Sequence, residues 1–391
     1  MITSRRQTLG WLTLASAQVA AQLAAQPVPP QDELLPFADY LPEFRIDAQA
    51  RSPHVKVLDF RQLRDWQTPA DQFFTFHQTQ QPHQADLSAW RFAVTGSVAN
   101  SISLSYDDIL QMPAAELPVT IECSGNSPQP RLMNGLVSNG VWRGPLLAPL
   151  LGRCGVLPEA REVVFFGADT ERERKWPAGG REFTAPHGRS LFVQDALESG
   201  AMLATHLNGA PLSQAQGFPL RVVVPGWYGM ANVKWLHRIL VLDRRYEGQH
   251  MSRNYHAVRQ AGENDPLVVE TSIARNRLKS VVARVVRKSV GGQPAYEVSG
   301  AAWGGPHPIV RVELRIDDHP WQTAQLDRQG SPHAWTLWRS PWEAATPGRH
   351  TLVSRAIDAK GNVQPERETL QQRQFSARED HAQWPRLIDI P

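Results

Sequence analysis

Pro118-Val119-Thr120-Ile121-Glu122-Cys123-Ser124-Gly125-Asn126 is an apolar, β-branched run that stops at a cysteine and a Gly-Asn pair. The pattern predicts a strand over Pro118–Cys123 followed by a turn. A thiol so placed stands at a strand end, where backbone N–H groups and an open cavity can meet. Such donors lower a thiol pKa, and the thiolate is the form a soft metal takes. Alone the signal is weak, because a free cysteine is more often a small buried hydrophobe. The only other cysteine, Cys154, lies in Leu150-Leu151-Gly152-Arg153-Cys154-Gly155-Val156 and reads as the structural end of a helix.

Two cysteines in 391 residues exclude a disulfide-rich scaffold, a CxxC…CxxC zinc site and a CxxCH haem attachment. With 41 Lys+Arg against 38 Asp+Glu the net charge is +3, which argues against nucleic acid as the main partner. Hydrophobic residues at 41% and a length that suits two or three compact units describe a folded, multidomain chain.

Working outward, Ala89–Thr95, Val163–Phe166, Leu220–Val224 and Arg238–Leu242 are strand-like runs. Leu104–Leu110 reads as a short helix capped by Ser105, and Pro145–Leu151 and Phe192–Ser199 as further short helices. Asn208-Gly209 is a hairpin signal. Short helices among many strands predict an α+β fold. After Asn264-Asp265-Pro266 the character changes. Val281–Val286, Tyr296–Ser299, Ile309–Ile316, Trp321–Leu326, Trp335–Trp338 and His350–Ile357 are short strand candidates, and the spacing predicts an immunoglobulin-like sandwich. The domain reading is 1–26 leader, 27–55 proline-rich extended arm, 56–263 first domain, 264–378 sandwich and 379–391 tail.

A second constellation is Gln216-Gly217-Phe218-Pro219-Leu220-Arg221, continuing through Pro225-Gly226 to Asn232-Val233-Lys234-Trp235-Leu236. Arg221 and Lys234 sit within apolar runs, where a cation is costly unless it meets an anion such as phosphate. A tight turn whose Arg and Lys snorkel to solvent is the commoner explanation of such a stretch taken alone.

Together the two stretches resemble the sulfite oxidase family of molybdenum enzymes. Glu122-Cys123-Ser124-Gly125-Asn126 is similar to that family's Cys-x-Gly-Asn motif, and Gly217–Arg221 with Pro225–Leu236 to its pterin-binding stretch. The resemblance spans about residues 60–375, in motif order. It implies an α+β molybdopterin-binding domain followed by an all-β immunoglobulin-like dimerisation domain, and therefore a homodimer. It implies that Cys123 binds molybdenum as the protein's ligand, alongside the sulfurs of a molybdopterin (Moco). Phe73, His77, Asp169, Gln216, Arg221, Asn232 and Lys234 would hold the pterin and its phosphate. Tyr255 would stand beside the metal and share in catalysis.

Three positions depart from the family pattern. Thr75 stands where an arginine binds the substrate anion, Ser127-Pro128 replaces further arginines, and Gln216 replaces a histidine. Arg131 and Arg386 are candidate substitutes. The resemblance thus implies oxygen-atom transfer to or from a small sulfur compound such as sulfite, with electrons passed to a separate c-type cytochrome. A reductase of S- or N-oxides on the same cofactor, and a cofactor-free binding protein retaining the scaffold, are the alternatives. No segment is apolar for long enough to span a membrane. Ser4-Arg5-Arg6-Gln7-Thr8-Leu9 resembles a twin-arginine export signal ending near Ala25-Gln26, which would place the folded protein in the periplasm. The rival there is an amphipathic N-terminal helix.

Overall fold

A computed structural model describes residues 32–39, 55–77, 82, 84–128, 134–174, 182–262, 265–327, 331–343 and 345–391. The leader (1–26) and Arg131 lie outside them.

The first domain is organised on a mixed five-stranded sheet, in spatial order Ile102–Leu104, Phe92–Gly96, Leu236–Leu242, Glu162–Arg174, Glu182–Phe192. Phe92–Gly96 and Leu236–Leu242 run parallel, and the other pairs are antiparallel. Val163–Phe166 is only the apolar start of a longer strand, which continues past an irregularity into the polar run ending at Arg174. Its partner Glu182–Phe192 carries Pro186 and Gly188 and has no strand signature in sequence. As the outer strand of the sheet it tolerates both.

A second sheet pairs Ala114–Glu122 with Val137–Pro145, which in turn meets the small hairpin His206–Leu207 and Ala210–Pro211. That hairpin turns at Asn208 and Gly209, with φ of 54° and 80°. Ser105 caps the helix Tyr106–Leu110 in a full capping box with Asp108. In Leu147–Cys154 the residues Leu147, Leu150, Leu151 and Cys154 are buried at helical spacing, so Cys154 is core.

The second domain packs two sheets face to face. One is ordered Glu33–Leu35, Lys279–Val290, Gln293–Trp303, Thr336–Trp342, Gln325–Asp327. The other is ordered Gln322–Thr323, Ile309–Ile316, Gly348–Asp358, Arg386–Ile390. The candidate strand Trp321–Leu326 is therefore two strands: it breaks at buried Ala324 and changes sheets, as sandwich edges do. Both terminal segments also join the sandwich, Glu33–Leu35 from the arm and Arg386–Ile390 from the expected tail.

Lys279–Val286 is buried on both faces. Val282 and Val285 point into the sandwich, while Val281 and Ala283 share a second core with Leu58, Val137, Trp303 and Trp335. The Trp335 indole donates to Trp66 O at 2.7 Å, and its amide to Thr120 Oγ1 at 2.7 Å. The back of the Cys123 strand is thus roofed by the sandwich.

Candidate active site

Glu122 closes its strand with no exposure, and its carboxylate meets three donors: Lys279 Nζ at 2.5 Å, Asn126 Nδ2 at 2.9 Å and Trp303 Nε1 at 2.9 Å. Asn126 Oδ1 in turn accepts from the Gly135 and Leu136 amides. The second domain reaches the loop again where the Glu379 amide donates to Ser124 O at 2.8 Å and Ser127 donates to Asp380. The turn is held from two sides, and Cys123 projects from it into a cavity.

That cavity gathers the residues assigned from the sequence to cofactor binding and catalysis: Phe73, His77, Cys123, Asp169, Gln216, Arg221, Asn232, Lys234 and Tyr255. Phe73 packs edge-on against Trp142 at 5.4 Å. Gly217, at φ 104°, lets the Lys234 segment pass; a Cβ there would sit 2.9 Å from Lys234 Cβ. Trp235 takes φ 50°, rare for a bulky residue, and is pinned by its indole N–H donating to Gln214 O at 2.8 Å.

The electrostatics are those of a site that suits an anion. Arg221 is buried over the Trp142 ring at 4.7 Å, and its guanidinium donates only to neutral acceptors: Gln216 O, Gln216 Oε1 and Asn232 O. Its Nε is buried without a hydrogen-bond partner. Burial alone pulls its pKa down to about 9. Lys234 Nζ has Phe76 O, His77 Nδ1 and Ala215 O at 3.3 Å each. Burial, and then the Arg221 charge, lower it to about 7, against the pull of Asp169. Two desolvated cations facing one cavity fit a phosphate-bearing ligand. The Asn232 side chain is occupied by its own loop, accepting from the Val224 amide and donating to Trp227 O and Tyr228 O. It shapes the wall.

Cys123 is buried, and desolvation raises its thiol pKa; the Gly125 amide, then Arg378 and Lys279, work the other way. A metal would remove that proton outright. Among the described residues no group of three or more His, Cys, Asp or Glu could hold a metal ion. One thiolate suits a metal that arrives with most of its own donors, as a dithiolene complex does. Tyr255 is buried and its phenol pKa is raised, first by desolvation.

Sequence reasoning missed four residues here. His187 and His250 line the cavity, Arg378 lies over the Tyr255 ring at 4.0 Å, and Glu171 pairs with His250 at 2.6 Å. None belongs to a local motif, and only the fold brings them in. Of the proposed substitutes for the missing arginines, Arg386 is elsewhere. It is bonded to Asp39 at 2.9 Å and to Val282 O, and stacked on Phe37 and Trp384 in the sandwich.

Residues 78–250 match the family described as oxidoreductase molybdopterin binding domain, and residues 267–375 the Mo-co oxidoreductase dimerisation domain. The chain is 30% identical over 354 residues to sulfite oxidase of Gallus gallus, covering 83% of this chain and 73% of that one. It is also 30% identical over 322 residues to nitrate reductase [NADH] 1 of Oryza sativa subsp. japonica, covering 73% of this chain and 34% of that one. Among solved structures, the sulfane dehydrogenase SoxCD of Paracoccus pantotrophus shares the fold. Its TM-score is 0.71 at 23% identity, with 86% of each chain covered. With two buried cations facing one cavity and a single cysteine at the strand end, these matches make the chain a member of the sulfite oxidase family, an oxidoreductase whose cofactor is molybdenum-molybdopterin.

Proposed function

We propose that this enzyme oxidises sulfite or a closely related sulfur oxyanion and passes the electrons one at a time to a separate c-type cytochrome. The observation that carries the reading is Arg378. Its guanidinium lies over the Tyr255 ring, and its charge acts on both Cys123 and Tyr255. A cation at that point offers a small dianion the charge that Thr75 does not.

Bound in the cavity, molybdenum-molybdopterin supplies two-electron oxygen-atom transfer. The chain's own groups do the rest. Cys123 Sγ would hold the metal, Arg221 and Lys234 would hold the phosphate, and Asp169 and His77 would hold the pterin. Phe73 and Gln216 complete the wall, and the Tyr255 hydroxyl would donate or steady a proton during the reaction. Export through the twin-arginine route to the periplasm belongs to the same reading and rests on Arg5-Arg6. A homodimer is supported by the dimerisation-domain match. Among the described residues no helix is long and apolar enough to cross a membrane.

A second reading, reduction of an S- or N-oxide, is favoured by neutral Thr75 and by Met230 in the cavity wall. Steady-state assays of the molybdenum-loaded protein separate the two. Sulfite oxidation with an artificial one-electron acceptor is expected to exceed sulfoxide reduction by at least a hundredfold. Comparable or reversed rates would sink the sulfite reading.

A further inference from the structure

His250 lines the cavity, is 2% exposed, and is bonded through one ring nitrogen. Its Nε2 lies 2.6 Å from Glu171 Oε1, while Nδ1 is buried without a hydrogen-bond partner. An ionised carboxylate only accepts, so Nε2 carries the proton, and in the neutral ring Nδ1 then keeps its lone pair. This is the tautomer of a proton acceptor, braced from behind by a carboxylate. Buried polar atoms are nearly always partnered, and an unpartnered one in a cavity wall points to something in the cavity that uses it.

The backbone supports the placement. Gln249–Arg253 forms one π-helical turn, a wide turn found mostly at functional sites. Arg189, itself buried, clamps that turn: Nη1 donates to His250 O at 2.7 Å, and Nη2 to Ile273 O. The titratable and charged groups around the ring are Glu171, His187, Tyr255 and Arg189. The His187 ring lies 4.6 Å from that of His250 and is held neutral, with a pKa of about 3. Burial contributes most to that, followed by the neighbouring His250, Lys234 and Arg189. The Tyr255 ring is 5.8 Å from that of His250. Glu171 is not part of the cavity wall, and its side chain is 21% exposed. Two groups therefore connect the cavity to water.

We propose that the His250–Glu171 pair is the proton exit of the site. His250 Nδ1 takes up a proton released in the cavity as its Nε2 proton passes to Glu171 and on to solvent. The inference rests on the sulfur-oxidising reading. There, sulfite and one water give sulfate, two protons and two electrons. A new S–O bond forms, both O–H bonds of the water break, sulfur is oxidised, and the electrons go to the one-electron cytochrome acceptor. The protons are left in a cavity that holds two cations, Arg221 and Lys234. Its wall carboxylate, Asp169, already acts on Lys234. An imidazole backed by a carboxylate is the base such a cavity needs.

The test uses the molybdenum-loaded protein labelled with ¹⁵N-histidine, with His250→Gln identifying the His250 signals. The expected result is a protonated Nε2 and an unprotonated Nδ1, a preference that weakens in Glu171→Gln. In the same preparations, Glu171→Gln and His250→Gln are expected to lower kcat about 10- to 100-fold and enlarge the solvent isotope effect. Metal content and the KM for sulfite should stay within twofold. An Nδ1-protonated His250, or kcat within twofold of wild type in both variants, would overturn the proposal. Should His250→Gln fail to take up metal, Glu171→Gln carries the kinetics and its signal shift makes the assignment. Should the wild type fail to oxidise sulfite, the functional reading fails, and the tautomer alone decides for or against the pair.

Discussion

Glu122 and Lys279 form a buried ion pair 2.5 Å long across the domain boundary, one residue away from the Cys123 thiol. Lys279 also donates to Asn126 O at 3.2 Å, so a strand of the sandwich holds both ends of the cysteine turn. Removing Lys279 alone leaves a carboxylate stranded in the core, at a cost of about 3–5 kcal/mol. Lys279→Met is expected to lower the denaturation midpoint accordingly and to reduce molybdenum content. Glu122→Gln with Lys279→Met should recover most of the stability, since no unpaired charge then remains. A single variant as stable as wild type would show that the pair does not clamp the turn.

Lys234 offers a pH test of the phosphate site. Its folded-state pKa of about 7, without an anion, lies below the value in an unfolded chain. The unfolded state therefore binds the extra proton at intermediate pH, and the penalty is greatest below pH 7. As pH rises from 7 towards 10 the penalty declines. In cofactor-free protein, the Tm difference between wild type and Lys234→Met should shift in favour of wild type over that range. With cofactor bound, a phosphate keeps the ammonium charged, and the difference should flatten. Identical slopes in both forms would argue that no anion reaches Lys234.

Arg378 is expected to act on substrate and not on cofactor. Losing one charged hydrogen bond costs about 1.5–3 kcal/mol. Arg378→Met should therefore raise the KM for sulfite roughly 10- to 150-fold while metal content and the KM for the electron acceptor hold. Unchanged sulfite kinetics would remove the residue from the substrate site.

The two cysteines should separate cleanly. Cys123→Ala is expected to abolish molybdenum retention with little loss of fold. Cys154→Ala empties core volume at a cost of roughly 1 kcal/mol and leaves metal content intact. Elemental analysis beside thermal melts reads both, and full loading of Cys123→Ala would refute the ligand assignment.

Much of this was legible in one dimension because it is local. A cap at Ser105, an Asn-Gly turn at residue 208 and the strand Ile309–Ile316 each depend on neighbours within a few residues. Glu182–Phe192 was not legible, since an outer strand can carry Pro186 and Gly188 while its partner supplies the order. Trp321–Leu326 read as one strand because nothing in its composition marks a change of sheet at Ala324.

By itself the sequence determined which residue types would meet: a thiol at a strand end, two cations in apolar runs and a tyrosine, in the family's order. Their chemistry depends on residue identity and short spacing, and both are written in the chain. Only the tertiary structure decided what surrounds them. Lys279 behind the cysteine, Arg378 over Tyr255 and Glu171 on His250 come from segments far apart in the chain. Charge separated by long stretches of chain has no sequence signature, and burial, which makes each of these contacts matter, exists only once these distant segments have packed together.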